Sequence, residues 1–507
     1  MEFITLLITF LLLGSMLVKI LTQFNREKHP EVNLPPGPKP LPIIGNIHQL
    51  AGSPFLHRLL RDLAHKYGPL MHLKVGETPT IIVTSPEMAK EIYRTNDLLF
   101  SSRPPILQFK IFSYNFVGLI FSPYGNHWKQ LRKLCTVELL SPSRVQTFRS
   151  IKEDEVFKLM ESISSQEGSI VNLTKAVSIL SYSITGRAAL GKKNEQTQRY
   201  MDIVIEMNRL ASEFSLADLY PSVKLFQVFN TKRYKLERGH KQIDEIIGNI
   251  LNEHKQRIEE GKGEDAKENL VQVLINIQRR NDFEPELTDE CIKAVIFDIF
   301  TAGSETSAIL LEWAFAEIIR NPEVLKRAQD EARSVFSEVG NVDESRLHEL
   351  KYLHAIYKES LRLHPSAPLL LPRICGEKCE INGYEIPKHA TVIVNAWAIG
   401  RDPAHWTEAE KFDPDRFLNS EVDYKGTDFE YIPFGAGRRI CPGISFAQPS
   451  NELILAQLLF HFDWQLPGGL KNEELDMNEN LGLTVKRLND LLLIPSLYQH
   501  SCLRKVH

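Results

Sequence analysis

A chain of 507 residues, 43% of them hydrophobic, is long enough to bury a large core and by length alone could form several domains. Its formal charge of −4 mixes both signs, which excludes the broadly basic surface a nucleic-acid-binding protein needs. Six cysteines in so long a chain make no disulfide framework, so reduced cytosolic thiols are expected.

No charged residue occurs from Phe3 to Val18, and the apolar character continues from Leu21 to Phe24 with Lys19 as the sole interruption. That is near the length needed to span a bilayer, so residues 1–24 are expected to form a single N-terminal transmembrane helix. A cleaved secretory signal is the alternative, but Glu2 replaces a basic start and no small-residue cleavage site is evident. Lys19, Arg26 and Lys28 place the remainder in the cytosol by the positive-inside rule. Residues 25–45 contain Pro35-Pro36-Gly37-Pro38, expected as a stiff hinge. With no later linker, 46–507 reads as one domain.

Strand signals cluster from Leu70 to Val83 and from Glu380 to Val394, with long helical periodicities between them. The fold class is therefore mainly α with a small β-rich portion. Between Pro105 and Val117 large apolar side chains crowd together, including Ile111, Phe112 and Phe116, for which a core role is the commoner one. Trp128 and Arg132 stand i and i+4 on a helix after Tyr124-Gly125, a spacing common on amphipathic helices. Asn172-Leu173-Thr174 is a formal glycosylation acceptor, which a cytosolic domain would not expose to the luminal machinery. Glu259 to Glu268 reads as an exposed loop.

The apolar segment Asp289 to Arg320, with Thr288 as N-cap and Asn321-Pro322 as stop, predicts a helix roughly 48 Å long. Its middle, Ala302-Gly303-Ser304-Glu305-Thr306, puts a glycine and polar groups where helix interiors exclude them; a tolerated kink is the plain reading. The Thr306 hydroxyl can bond back to the carbonyl one turn earlier. Glu359 and Arg362 share a face of the helix that ends at His364-Pro365, and Arg416 follows in Phe412 to Phe417. Cys375 and Cys379 lack the further ligands of a structural zinc site. Last comes Phe434-Gly435-Ala436-Gly437-Arg438-Arg439-Ile440-Cys441-Pro442-Gly443, a glycine-rich turn around one thiol, with Arg439 expected as a cation beside it. Alone, Cys441 would be read as a small buried apolar residue.

The pattern of Phe434, Gly437, Arg439, Cys441 and Gly443 resembles the haem-ligand signature of the cytochrome P-450 family. The resemblance spans the whole chain in family order and looks like the plant microsomal A-type branch, closest to its terpenoid oxygenases. It implies the cytochrome P-450 fold after a membrane anchor, with haem b bound through Cys441 as axial iron ligand. It also implies propionate contacts from Trp128, Arg132 and Arg373, and a buried network of Glu359, Arg362 and Arg416 beneath the haem loop. Ala302, Gly303, Glu305 and Thr306 would form an oxygen groove, the threonine positioning O₂ and the acid relaying protons. Ile111, Phe112, Phe116, Ala302, Leu369 and Leu483 would line the substrate pocket. The implied reaction inserts one oxygen atom from O₂ into an apolar metabolite, with electrons from NADPH through a separate flavoprotein reductase. The expected setting is the endoplasmic reticulum membrane, in contact with lipid and facing the cytosol. Lys129, Arg132, Lys133 and Arg438 are candidates for the reductase surface. A sesquiterpene or diterpene is the expected substrate, with a phenolic or other apolar specialised metabolite as the alternative. A haem-thiolate isomerase or dehydratase, or a noncatalytic haem protein, stays open as another class. Departures from the family pattern are Asp415 before Arg416, Ile374 after Arg373, and Pro449 in the helix after Cys441.

Overall fold

The computed structural model describes residue 14 and residues 33–505, apart from 54, 192–194, 212–214, 229, 261–267, 282–283, 285 and 481. The expected anchor lies outside the described residues except for Gly14, as does most of the polar stretch after Glu259. The longer described helices are α1 (Leu56–Tyr67), α2 (Asn126–Leu134), α3 (Arg149–Ser164), α4 (Leu173–Leu190), α5 (Glu195–Ala211) and α6 (Thr231–Glu259). They continue with α7 (Leu270–Arg280), α8 (Asp289–Arg320), α9 (Pro322–Phe336), α10 (Lys351–Leu363) and α11 (Ile444–His461).

Helix α8 is the axis of the molecule. The Thr288 hydroxyl accepts from the Cys291 N–H at 3.2 Å, Asp289 and Glu290 occupy the first turn, and the chain leaves the helix at Asn321-Pro322. Acids there favour the helix dipole. The helix is apolar nearly all round because α4, α7, α10 and α11 pack on it from several sides.

The β portion is small. Strands β1 (Leu70–Val75), β2 (Thr78–Val83), β4 (Arg373–Ile374) and β7 (Thr391–Val394) form one sheet in the order β1-β2-β7-β4, and only β2 and β7 pair in parallel. β3 (Val171–Asn172), β9 (Leu492–Leu497) and β8 (Phe462–Gln465) form a second, and β5 (Cys379–Ile381) with β6 (Tyr384–Ile386) a third. The pairing of Arg373 with Val392 sets the first cation of the site.

Three segments singled out in the sequence take definite form here. The proline segment is packed chain rather than a free hinge, because the Asn33 carbonyl accepts from Glu385 N–H at 2.7 Å and the Pro36 carbonyl from His72 N–H at 2.9 Å. Asn33 and Pro36 are thus held against β6 and β1. Asn172 of the glycosylation triplet is a helix cap, its side chain accepting from Lys175 N–H at 3.0 Å and donating to Asp490 at 2.7 Å. Helix α11 runs on through Pro449, and the Ser450 hydroxyl returns to the Phe446 carbonyl at 2.6 Å.

Candidate active site

Cys441 follows a single 3₁₀ turn, Gly437–Arg439, and its N–H donates to the Phe434 carbonyl at 3.0 Å. The Gly443 N–H donates to the Cys441 sulfur at 3.4 Å. Burial pushes the thiol above its usual range, opposed by that N–H and by Arg132. The cation whose field reaches the sulfur is thus Arg132, not Arg439. Arg439 turns away instead, donating to the carbonyls of Ser101, Ile120 and Ser122 and lying 4.4 Å over the Trp128 ring. Gly437 has φ +70°, and a Cβ there would stand 2.3 Å from the Tyr93 carbonyl oxygen. The glycine serves close backbone packing at this point. Gly437→Ala should displace the turn and cut haem retention, read as the haem-to-protein absorbance ratio of the purified protein.

Above the loop lies a cavity of about 360 Å³ with mostly apolar walls. Its distal wall is the middle of α8. The Thr306 hydroxyl donates to the Ala302 carbonyl at 2.6 Å, as expected, and the helix is unbroken across Gly303. A Cβ on Gly303 would meet Thr185 at an ordinary 3.5 Å. Glu305 accepts from the Asn208 amide of α5 at 2.7 Å. Burial pushes its carboxyl up, against Asn208, Lys486 and Thr484.

Of the expected pocket residues, Phe112, Ala302 and Leu483 line the cavity, whereas Ile111, Phe116 and Leu369 do not. In the short helix Leu107–Phe112 it is Phe109 and Phe112, one turn apart, that face inward. Leu370 has φ +50°, which directs Leu370 and Leu371 to the cavity and leaves Leu369 against the core of β1 and β2. Phe116 belongs to a run of left-handed residues, Tyr114, Asn115 and Phe116, at φ 50°, 59° and 69°. That loop is tied down from several directions. Asp298 of α8 accepts from the N–H groups of Leu119 at 2.6 Å and Ile120 at 3.1 Å, and the Trp128 indole donates to the Leu119 carbonyl at 3.0 Å.

At the edge of the cavity Arg103, Arg132, Arg373 and Arg439 converge. Burial lowers each of them, repulsion from neighbouring guanidiniums adds to this for Arg103, Arg132 and Arg439, and Arg439 is pushed down to about 9. The nearby Asp97 binds Arg438 through Oδ2 at 3.2 Å, while its Oδ1 and the Arg373 Nε have no hydrogen-bond partner among the described residues.

A family model described as Cytochrome P450 matches residues 35–493. The chain belongs to the cytochrome P450 family. It is 54% identical over 494 residues to Tabersonine 16-hydroxylase 1 of Catharanthus roseus, covering 96% of this chain and 97% of that one. It is 53% identical over 508 residues to Tabersonine 6,7-epoxidase isoform 1 of the same plant, covering 100% of both. A zebra fish cytochrome P450 solved with abiraterone shares the fold, with a TM-score of 0.75 at 22% identity over 88% of this chain and 100% of that one. The protein is a plant monooxygenase of this family and uses haem, with NADPH-derived electrons delivered through a reductase. The residues fit haem: four guanidiniums, buried at Arg373 and Arg439 and half-buried at Arg103 and Arg132, form no ion pair among the described residues where a porphyrin would bring two propionates, and a single thiol lies at the floor.

The expected buried network is assembled. Arg362 makes two 2.7 Å bonds to Glu359 and donates to the carbonyls of Gly400, Ala409 and Lys411. Arg416 reaches Glu359 at 3.0 Å, while Asp415 points outward to Arg327 and leaves Arg416 free for that role.

Sequence reasoning missed Arg103, Asn208 and Asp298. Asp298 is an acid in an apolar helix, which was the available signal. Burial raises its carboxyl to about 7, against the N–H groups of Ile120 and Leu119. Its ordinary value is lower, so this contribution to stability is full at acid pH and is lost as pH rises through about 7. Between pH 4 and 7 the slope approaches roughly 1.4 kcal/mol per pH unit. Asp298→Asn should remove that slope in denaturant unfolding measured across the window.

Proposed function

We propose that this cytochrome P450 oxygenates an apolar, polycyclic plant metabolite at the cavity above Cys441. The observation that supports this most directly is the cavity itself, with Phe109, Phe112, Phe121 and Phe297 on its walls and Thr306 and Glu305 on α8 beside them. Bound there, haem supplies the iron at which O₂ is reduced and from which one oxygen atom passes to the substrate.

The chain's own residues do the rest. Cys441 holds the iron through sulfur, with Phe434 and Gly443 shaping its turn. Arg132 and Arg373 would hold the propionate edge with Arg103 beside them, while Trp128 and Arg439, whose donors go to the Leu119, Ser101, Ile120 and Ser122 carbonyls, brace that edge. Ala302 and Gly303 leave room on the distal face, and the Thr306 hydroxyl positions what binds there. Burial raises the Glu305 carboxyl, which suits it to passing a proton on the distal side beside Thr306. The apolar walls exclude water.

Expectation from sequence placed a sesquiterpene or diterpene first. The printed activities of the relatives, hydroxylation and epoxidation of tabersonine, weight the reading toward an alkaloid-like member of the other apolar metabolites. Exposed Lys129, Lys133 and Arg438 offer a docking face for an acidic reductase, with Arg132 withdrawn into the site. The N-terminal segment would hold the domain on the endoplasmic reticulum membrane.

The test is turnover of alkaloid, terpene and phenolic panels by membranes with reductase, NADPH and O₂. Alkaloid turnover that is strictly dependent on O₂ is the expected result, and Glu305→Gln should lower it about 10- to 100-fold with a solvent isotope effect. Turnover confined to terpenes would restore the first expectation. Conversion without O₂ would establish the isomerase or dehydratase reading.

A further inference from the structure

The proximal side of the Cys441 loop holds polar atoms to which the reading above gives no role. Tyr357 of α10 is fully buried, and its hydroxyl has no hydrogen-bond partner among the described residues. Asn451 of α11 is 1% exposed, and neither its amide nitrogen nor its oxygen has a partner among them. Both residues line the cavity together with Cys441, Pro442, Gly443 and Phe446.

Their neighbours are satisfied. The Tyr431 hydroxyl donates to the Lys358 carbonyl at 2.6 Å, and Glu452 contacts His354 at 2.6 Å. The turn of α11 before Asn451 also contains Pro449, which has no N–H to give to the carbonyl four residues earlier. The Tyr357 hydroxyl and the Asn451 side chain lie close enough to influence each other without forming a well-aligned hydrogen bond. A polar pocket with several donors and acceptors is where buried water is held to bridge such groups.

Both side chains can donate. The Cys441 sulfur accepts one hydrogen bond, the 3.4 Å bond from Gly443 N–H, and lies within electrostatic reach of the Tyr357 hydroxyl. We propose that Tyr357 and Asn451 are positioning residues that hold a buried water on the proximal side and through it donate a hydrogen bond to the Cys441 sulfur of the haem-loaded protein. The inference rests on Cys441 being the iron ligand. A hydrogen bond to a ligating sulfur draws electron density from the iron and raises its reduction potential.

The experiment uses the haem-loaded, full-length protein. The reduced, carbon monoxide-bound spectrum first establishes thiolate ligation; a wild-type protein without the red-shifted band overturns the Cys441 reading, a result distinct from those below. The iron–sulfur stretch is then compared in H₂O and D₂O by resonance Raman, and the ferric–ferrous potential is measured. Tyr357→Phe and Asn451→Leu are each expected to shrink the deuterium shift and lower the potential. The double variant should go no further than the more affected single, because both act through one water. Asn451→Ser, which keeps a hydroxyl for that water, should restore most of the effect. Should Asn451→Leu not load haem, Tyr357→Phe decides, since it removes one oxygen atom only. A wild-type deuterium shift and potential in Tyr357→Phe would overturn the proposal.

Discussion

Cys441→Ser is expected to abolish the red-shifted Soret band of the reduced, carbon monoxide-bound protein and to cut monooxygenase turnover at least about a thousandfold, some 4 kcal/mol. The substitution is nearly isosteric, and the turn it sits in is set by other atoms. The Cys441 N–H bond to Phe434 is a backbone bond, and Gly437 packs on the Tyr93 carbonyl whatever stands at 441. Cys441 is also not part of the hydrophobic core clusters, so the fold should survive. What is lost is electronic: a neutral hydroxyl is a weak iron ligand and cannot supply the electron density a thiolate gives. The measurement is the difference spectrum of wild-type and variant membranes at equal protein. A variant that kept the red-shifted band would place the ligand elsewhere.

Arg362→Ala is expected to leave little folded, haem-loaded protein. Both side chains of the Glu359–Arg362 pair are 0% exposed, and the guanidinium satisfies three backbone carbonyls besides the carboxylate. Removing one partner strands a buried charge, at about 3–5 kcal/mol. That is a large part of the roughly 5–15 kcal/mol that holds a domain together. Arg362→Lys should rescue poorly, because an ammonium cannot reproduce the two-pronged bond to Glu359. Arg416→Ala should cost less, since Arg416 makes one bond to Glu359 and its side chain is 11% exposed. Thermal unfolding and haem content of the three variants give the order, and a stable, haem-loaded Arg362→Ala protein would refute it.

The elements best legible in the sequence were those with local punctuation. The bounds of α8 followed from Thr288, the apolar run and Asn321-Pro322, and the turn at Cys441 from its glycines and arginines. Chemistry that depends on contacts distant in sequence was not legible. Arg439 was expected beside the sulfur, but three carbonyls from the loop after Ser101 turn it away. Asp298 stands out in the sequence only as an acid in an apolar helix, and its role is hidden because its partners are two backbone N–H groups, which no side-chain code announces. The resemblance puts Ile111 and Leu369 at the cavity, whereas which side of a short helix or a left-handed turn faces inward depends on packing against the remainder.

The run of left-handed residues at Tyr114, Asn115 and Phe116 stores strain just before Leu119 and Ile120, which do line the cavity. Each non-glycine residue held in that conformation costs about 1–2 kcal/mol, and the bonds from Asp298 and Trp128 anchor the segment that follows. Releasing that segment breaks those bonds but returns the strain. Displacing this stretch of wall therefore needs less net free energy than the number of its hydrogen bonds suggests.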